Sequence, residues 1–221
     1  MYSHICTIYS NKYTIKLLIE KLLIDELASL YLYVFVSLFQ NMAYMGNFRI
    51  GNGFDVHLLA DGLTFTLGGI EIEHSKGCVA HSDGDVAIHA LCDALLGALS
   101  LGDIGHLYPD TSDEFKGIDS KILLDRTYKI IIERGWRLSN ADITIILQRP
   151  KIAQYIEKMK STLMEVIDKV EGDFAKETEE SNVHQMSRIS VKATTTEKVG
   201  FVGREEGIAA YASVLLVKKF A

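Results

Sequence analysis

The stretch HSDGDVAIHALCDALLGAL, at positions 81–99, places two environments in one helix and constrains the fold more than any other segment. Asp83 is predicted to cap a helix that runs through Leu99, because apolar residues recur there at helical spacing. The shared apolar positions are Ile88, Leu91, Leu95 and Ala98. The second half of the helix therefore belongs to the core, whereas His, Ser and Asp residues crowd its start.

The segments around this helix alternate between strand-like and helix-like patterns. In chain order they are predicted strands at 48–57 and 63–72, the helix at 83–99, a helix at 119–135, a strand at 142–148, a helix at 151–170 and strands at 187–194 and 207–219. A loop is predicted at 101–117, and a mobile acidic insertion at about 171–185. This order predicts a single α+β domain, in which a mixed β-sheet carries helices packed on one face.

Composition narrows the class of protein. The 221 residues suit one domain with an appendage, and the net charge of −6 argues against nucleic-acid binding, which normally needs a basic face. The three cysteines, Cys6, Cys78 and Cys92, are widely spaced and form no CxxC motif, which argues against disulfides and a Cys-type zinc site. Cys92 lies among Ala and Leu in the helix, so we expect a small buried residue and not a nucleophile.

The first 45 residues differ from the rest, since they contain no Gly, Pro or Arg. The uncharged apolar run at 27–39 is shorter than the roughly 20 residues that a membrane-spanning helix needs. Three interpretations stay open for this segment: a targeting leader, a membrane anchor, or untranslated sequence upstream of a start at Met45. We favour the leader, and in each case the folded domain is expected at 46–221.

Asp55 and His57, in GFDVH, are the first candidate metal ligands. Alternate residues of a strand point to the same side, so the two side chains are expected to face one way together. A carboxylate beside an imidazole makes half of a mononuclear zinc site. On this pattern alone, a hydrogen-bonded pair at the end of a strand is the better interpretation.

His89 is the candidate third ligand. Asp85, His89 and Asp93 are spaced four apart and so project from one stripe of the helix. A histidine flanked by carboxylates suits a metal ligand whose second ring nitrogen is held by an outer carboxylate. The alternative is a solvated polar face. Together with Asp55 and His57, the pattern favours three ligands and an open fourth position, the arrangement of catalytic zinc.

Several other segments suit phosphate binding. His81 and Ser82 precede the helix, where free N–H groups and the helix dipole favour an anion. KATTTEK, at 192–198, adds three hydroxyls and two lysines, and Arg204 lies where its guanidinium can bind phosphate with two hydrogen bonds. Each segment alone is equally consistent with an ordinary turn. In combination the residue types indicate a divalent metal beside a polyphosphate.

Four motifs carry a resemblance to a known family: GFDVH, HSDGDVAIHALCDALLGALSLGDIGHLYPDT, QRPK and KATTTEKVGFVGREEGIA, in that order. From about Arg49 to Lys218 the chain resembles the 2-C-methyl-D-erythritol 2,4-cyclodiphosphate synthases. The resemblance implies a phosphorus–oxygen lyase of the non-mevalonate isoprenoid pathway. Its substrate would be 4-diphosphocytidyl-2-C-methyl-D-erythritol 2-phosphate, and its products the cyclic diphosphate and CMP.

The resemblance also implies roles for particular residues. Asp55, His57 and His89 match zinc ligands, and Glu197 matches the ligand of a magnesium or manganese ion. His81 and Thr195 match residues that stabilise the transition state. The positions that match substrate contacts are Asp55, Val56, His57, His81, Ser82, Asp103, Ile104, Gly105, Tyr108, Pro109, Asp110, Thr111, Ser112, Leu147, Gln148, Arg149, Pro150, Lys151, Ile152, Ala153, Thr194, Thr195, Thr196, Glu197, Phe201 and Arg204.

Assembly and location follow from the same resemblance. The family forms homotrimers with active sites between protomers, and some members bind an isoprenoid diphosphate on the trimer axis. Phe54 and Arg204 match that cavity, whereas Tyr211 stands where some members have an acidic residue and Asn52 where bacterial members commonly have His. A bacterial-like domain behind a leader suggests a plastid of the apicoplast type. A start at Met45 would suggest a cytoplasmic enzyme instead.

Overall fold

The computed structural model describes residues 46–109, 115–178 and 188–218. The predicted leader at 1–45 lies outside these residues, as do Asp110, Thr111 and Ser112 and the second half of the predicted insertion. Within the described ranges, no helix has the length and apolar character required to cross a membrane.

The described residues form strands and helices in a mixed order. The strands are β1 (Phe48–Asp61), β2 (Thr66–Leu67), β3 (Ile70–Glu71), β4 (Lys76–Val79), β5 (Trp136–Ile146), β6 (Ile189–Thr194) and β7 (Gly207–Lys218). The α-helices are α1 (Val86–Ala98), α2 (Ile104–Leu107), α3 (Ser120–Glu133), α4 (Ile156–Thr178) and α5 (Gly200–Gly203), and a 3-10 turn spans Ala153–Tyr155.

Five of these strands form one sheet in the order β4-β1-β7-β5-β6, and β2 and β3 pair separately. Strands β5 and β6 run parallel, whereas the other pairs in the large sheet are antiparallel. The predicted α+β domain with a mixed sheet is therefore confirmed.

Two glycines of β1 bring α1 directly against the sheet. A Cβ atom on Gly51 would lie 1.9 Å from the Ala94 carbonyl oxygen, and one on Gly53 would lie 2.0 Å from the Ala90 oxygen. Only glycine fits at such a backbone approach. Because strand residues alternate between faces, Asp55 also faces the helix.

The first turn of α1 differs from the prediction. The cap is Asp85 and not Asp83, since the Asp85 carboxylate accepts hydrogen bonds from the Ala87 and Ile88 amides. Gly84, with a φ of 74°, turns the chain just before it, so the helix cannot begin earlier.

Helix α4 is longer than the sequence predicted. It continues to Thr178, so the prediction of a mobile insertion is wrong for residues 171–178. Glu171 is buried and accepts hydrogen bonds from Tyr128 and Arg188, and Ala175 also packs in the core. Because the segment is rich in acidic residues, its sequence did not indicate that these two positions are buried.

The region before α1 and the loop after it also differ from the prediction. In place of the single strand predicted at 63–72, the structure has two strands of two residues each, β2 and β3. Strand β4 was not predicted. The loop predicted at 101–117 contains the single-turn helix α2, which Asp103 caps through the His106 amide. Such short elements leave too few residues for a hydrophobic period to register.

Candidate active site

Three predicted metal ligands, which we call the metal triangle, converge where β1 meets α1. His89 Nδ1 lies 3.0 Å from Asp55 Oδ2 and 3.0 Å from His57 Nε2. The third side, from His57 Nε2 to Asp55 Oδ2, measures 3.1 Å. The strand supplies two ligands on its helix-facing side, and the helix supplies the third.

The electrostatics of the metal triangle favour a positive charge at its centre. Burial alone would raise the pKa of Asp55, but hydrogen bonds to His57 and His89 outweigh burial and hold the pKa well below its usual range. Burial alone would lower the pKa of His89, but its hydrogen bond to Asp55 outweighs that, so the pKa is raised. A cation at this position would be stabilised by the same carboxylate.

The donor set fits a metal ion. Three donor atoms spaced this closely can all contact one ion at the roughly 2.0–2.2 Å of zinc–nitrogen and zinc–oxygen bonds. Among the described residues, Asp55, His57 and His89 are the one group of histidine, cysteine or carboxylate side chains placed to hold a metal in this way.

The hydrogen-bond partners of the second ring nitrogen of His89, Nε2, differ from the prediction. It lies 3.1 Å from Ser82 Oγ and 3.0 Å from Ser120 Oγ, and not against the predicted carboxylates. The Asp85 carboxylate accepts backbone N–H groups at the start of α1 and between β2 and β3, and Asp93 Oδ1 accepts the Ile104 amide at 2.8 Å. Asp85 lies outside the helix as its cap, and backbone N–H groups donate to the Asp85 and Asp93 carboxylates, so neither contacts the second ring nitrogen of His89.

A cavity of about 380 Å³ opens beside the metal triangle. Its lining residues are Asp55, His57, Val79, Ala80, His81, Ser82, His89, Ile104, Gly105, Tyr108, Phe115, Ile118 and Leu123. The sequence identified the polar members and the segment around α2. It missed Val79, Ala80, Phe115, Ile118 and Leu123, because apolar residues of strands, loops and helices carry no signal for a binding site.

The α2 side of the cavity holds several predicted substrate contacts. Tyr108 packs edge-on against Phe115, with ring centroids 5.5 Å apart, and its hydroxyl lies 3.3 Å from Thr127 Oγ1. Asp103 is exposed, and the hydrogen bond from His106 lowers the pKa of its carboxyl. Pro109 ends the described part of this loop.

A second group of predicted residues forms what we call the threonine loop, residues 194–204. Thr195 Oγ1 donates to Glu197 Oε1 at 2.8 Å, and the Lys198 amide donates to Gln148 Oε1 at 3.2 Å. Glu197 and Lys198 both adopt left-handed φ angles, of 51° and 67°. Such conformations cost free energy in residues other than glycine and concentrate at functional sites.

The 147–153 segment and the end of the threonine loop lie together. The Leu147 amide donates to the Thr194 carbonyl at 3.0 Å, and Arg149 pairs with Glu205 at 3.3 Å. Pro150 follows Arg149 through a cis peptide bond, and Lys151 and Ala153 are exposed while Ile152 is buried.

The remaining members of this group lie near the start of β7. Thr196 is half-buried, with its hydroxyl bonded to the Val199 carbonyl. Phe201 is exposed beside Gly207, and the Arg204 guanidinium pairs with Glu206.

Within one protomer, the start of the threonine loop lies across the sheet from the metal triangle. His57 pairs with Ile208 of β7. In the neighbouring row Ala209 of β7 pairs with Ile146 of β5, which pairs with Thr194 of β6. At about 4.8 Å per strand spacing, Thr194 lies about 14 Å across the sheet from His57. Val56 stands apart from both groups, because it points to the opposite face of β1.

The two cysteines that the structure describes, Cys78 and Cys92, have the character of core residues and not of nucleophiles. Burial and the nearby carboxylate of Asp85 raise the pKa of Cys78 to about 12. Cys92 is fully buried, and burial raises its pKa further, as expected for a core residue. Cys6 lies outside the described residues.

Comparison with known proteins identifies the family. The model of the YgbB family matches residues 48–217. The chain is 52% identical over 168 residues to the 2-C-methyl-D-erythritol 2,4-cyclodiphosphate synthase of Acinetobacter baumannii (strain SDF), covering 76% of this chain and 96% of that protein. The chain belongs to the YgbB family. The synthase of Azotobacter vinelandii is likewise 52% identical, with coverage of 76% and 98%.

Solved structures of YgbB-family enzymes share the fold. IspF of Plasmodium falciparum, in complex with CDP, is 32% identical at a TM-score of 0.63 and covers 79% of this chain and 98% of its own. A CDP-bound 2C-methyl-D-erythritol-2,4-cyclodiphosphate synthase is 34% identical, with a TM-score of 0.64 and coverage of 76% and 99%. The bifunctional IspDF of Campylobacter jejuni is 42% identical at a TM-score of 0.67, and this chain spans 42% of its length.

These relatives establish the class of enzyme. As a YgbB-family member, the chain is a lyase with a cyclodiphosphate synthase role in isoprenoid biosynthesis. The family membership that the four motifs predicted is therefore confirmed.

Proposed function

We propose that this enzyme catalyses the metal-dependent cyclisation of 4-diphosphocytidyl-2-C-methyl-D-erythritol 2-phosphate, with release of CMP. The metal triangle at the wall of a cavity, in a chain of the YgbB family, is the observation that carries this proposal. In the reaction, an oxygen of the 2-phosphate forms a bond to the β-phosphorus. The bond from that phosphorus to the bridging oxygen breaks, and CMP leaves with the bridging oxygen.

The protein's part in this reaction is to position groups and neutralise charge, since no covalent intermediate is needed. Asp55, His57 and His89 would hold Zn²⁺, which supplies Lewis-acid polarisation of phosphoryl oxygens when bound. His81 and Ser82 line the same cavity and would donate hydrogen bonds to phosphate oxygens.

The threonine loop would serve the nucleotide and a second metal. Glu197 offers a carboxylate to Mg²⁺ or Mn²⁺, hard ions that prefer oxygen ligands and bind readily beside phosphates. Thr195 already contacts this carboxylate and would stabilise the transition state. Residues 147–153, which bond to the start and end of the loop, would contact the cytidine.

We propose that three copies assemble, so that the cavity of one protomer faces the threonine loop of the next. The distance of about 14 Å within one protomer supports this, because one active site needs both groups. The open face of β1 also supports it, since Ile50 is 72% exposed and Phe54 59% exposed. Large apolar side chains exposed on one strand face are typical of an interface.

Two further expectations stay proposals. Phe54 and Arg204 would take part in an isoprenoid diphosphate site on the trimer axis, where Tyr211 donates its hydroxyl to Asn52. Residues 1–45 would direct the enzyme to a plastid of the apicoplast type, or be absent from a cytoplasmic enzyme that starts at Met45. A fluorescent fusion of residues 1–45 in the source cell would separate these two locations.

The function is tested by phosphorus NMR of the product formed by the full chain with the diphosphocytidyl substrate and a divalent metal. We expect equal amounts of CMP and a cyclic diphosphate. CMP with an open-chain product that carries two separate phosphates would instead show a zinc-dependent hydrolase that uses water as the nucleophile. Tight binding of the substrate with no turnover at any metal concentration would show a binding module.

A further inference from the structure

We propose that Ser120, backed by Asp83, is a positioning residue for His89 that orients the imidazole and selects the ring nitrogen offered to the metal. This inference rests on the metal-binding role proposed above. None of the motifs in the sequence includes Ser120, which is the first residue of α3.

Geometry places Ser120 on the far side of the His89 ring from the metal triangle. His89 Nδ1 faces Asp55 at 3.0 Å, and Nε2 faces Ser120 Oγ at the same distance. Ser120 is fully buried and His89 is 6% exposed, so water has little access to this contact. The hydroxyl of Ser82 also lies 3.1 Å from Nε2, on the cavity side.

The proton of the Ser120 hydroxyl is already committed. A serine hydroxyl has one proton to donate, and Ser120 Oγ donates it to Asp83 Oδ1. The second Asp83 oxygen accepts the Ser120 amide at 3.0 Å, which fixes the carboxylate on both sides. Towards His89, Ser120 Oγ therefore acts as an acceptor.

An acceptor at this position favours the protonation state that metal binding needs. A histidine ligand must present an unprotonated nitrogen, so a metal on Nδ1 requires the ring proton on Nε2. Ser120 accepts that Nε2–H, whereas the opposite tautomer would set the Nε2 lone pair of His89 against the lone pairs of Ser120 Oγ. Asp83, Ser120 and His89 thus form a chain of hydrogen bonds that ends at the metal position.

Backbone hydrogen bonds hold Asp83 and Ser120 next to each other. The Asp83 amide donates to the Ile118 carbonyl at 3.1 Å, and the Gly117 amide donates to the His81 carbonyl at 2.7 Å. These two bonds join the segment before α1 to the segment before α3. Asp83 and Ser120 are therefore held together although 37 positions separate them in sequence.

The test measures zinc affinity of the full chain, by competition with a chelator, for wild type, Ser120→Ala and Ser161→Ala. Loss of an outer partner of a histidine ligand weakens metal binding about 10- to 100-fold, which is the result expected for Ser120→Ala. Ser161 is an exposed serine of α4, bonded to its own helix, and its replacement should leave zinc affinity at the wild-type value. Equal affinity in all three proteins would overturn the positioning role.

A spectroscopic readout separates positioning from general loss of stability. In the zinc-loaded wild type, we expect a His89 Nε2–H proton resonance, shifted downfield by its hydrogen bond and slow to exchange, which moves upfield or exchanges faster in Ser120→Ala. An unchanged resonance would overturn the inference even if stability fell.

Two controls keep the outcomes distinct. If Ser120→Ala does not fold, Asp83→Asn takes its place with the same expected direction, and unchanged zinc affinity would overturn the pair. If wild type itself binds no zinc, the metal-binding role fails and this inference fails with it. Zinc binding to wild type with no loss in the variants would reject the inference alone.

Discussion

The metal triangle and the threonine loop carry equally polar residues, but they are held in different ways. His89 makes hydrogen bonds to residues 31 and 34 positions away in sequence, and it is almost fully buried. Thr195 and Thr196 bond to residues two and three positions away, at the surface. The metal triangle is fixed by contacts between distant segments, whereas the threonine side chains of the second region are fixed mainly by contacts within one loop.

This difference bears on how each region would serve catalysis. Side chains fixed by long-range contacts cost little reorganisation during reaction, which suits groups that hold a metal. A loop stabilised mainly by local contacts opens more easily, and a substrate or a neighbouring protomer would order it further. We therefore expect changes in the two regions to have separable effects on metal content and on turnover.

The largest effect should come from His89→Ala. Two ligands cannot hold zinc in a tetrahedral site, so zinc content should fall close to zero. Turnover should fall by at least about 100-fold, because metal polarisation contributes several kcal/mol to catalysis. His74→Ala, which removes a histidine packed on Phe65, is the matched control and should keep both zinc and turnover. One zinc per chain in His89→Ala would remove this residue from the site.

The next effect concerns Glu197→Gln, which keeps the size of the side chain and removes its charge. Zinc content should stay at the wild-type value, because the metal triangle lies three strands away in the sheet. Turnover should fall about 10- to 100-fold, the loss expected for one interaction with a charged group worth about 1.5–3 kcal/mol.

The measurement for Glu197→Gln is turnover against magnesium concentration, with zinc quantified in both proteins. Equal turnover at every magnesium concentration would show that Glu197 only orders the loop. Loss of zinc would contradict the separation of the two regions.

A third prediction tests whether the metal triangle depends on the backbone contact beneath it. Gly53→Ala would push a Cβ atom into the Ala90 carbonyl and should lower the free energy of unfolding by about 1–3 kcal/mol, as overpacking does. Zinc affinity should fall as well, because Asp55 and His89 move apart. Thermal unfolding and chelator competition measure the two effects.

Gly97→Ala, in helix α1, is the matched control for Gly53→Ala. Gly97 is exposed, and a Cβ atom there meets only the Asn52 carbonyl oxygen at 3.8 Å. It should raise the free energy of unfolding by about 0.5–1 kcal/mol through helix propensity and leave zinc affinity unchanged. Parallel behaviour of the two variants would refute the close-approach argument.

The smallest effect is the pH dependence of the metal-free protein. Since the folded pKa of His89 is raised, its stabilisation is present below pH 6.5 and is lost as pH rises through the folded pKa. The free energy of unfolding should fall over that range by about 1 kcal/mol, the net worth of a typical hydrogen bond. The zinc-loaded protein should show the opposite trend, because protons compete with zinc for His89.

Thermal unfolding at pH values below and above 6.5, with and without chelator, measures this dependence. His89→Ala should flatten the metal-free curve. His106 also has a raised pKa, but it is exposed, so His106→Ala should leave the curve unchanged. A metal-free protein that gains stability between these pH values would contradict the assignment.

The sequence predicted what depends on local periodicity. The alternation of β1 placed Asp55 and His57 on one side, and the helical period placed His89 on the stripe opposite the apolar residues of α1. The structure brings all three together. Their meeting was a hypothesis that needed the strand and the helix to pack, which no local pattern could establish.

The sequence could not predict partners that lie far away along the chain. Ser120 reads as an ordinary first residue of a helix, and only the packing of α3 beside α1 brings it to His89. Asp85 and Asp93 had the spacing of outer partners, but backbone N–H groups from distant loops claim them. Buried backbone N–H groups need hydrogen-bond partners, and the sequence pattern does not show which side chains they will bind.

The glycine pair in β1 has a consequence for the spacing of the metal triangle. Two residues of a strand advance about 6.7 Å and four residues of a helix advance about 6.0 Å, so Gly51 and Gly53 stay in step with Ala94 and Ala90. Strand β1 and helix α1 run in opposite directions, so two residues further along the strand Asp55 lies level with the helical turn that contains His89. The distances between the three side chains of the metal triangle thus depend on two glycines that do not belong to it.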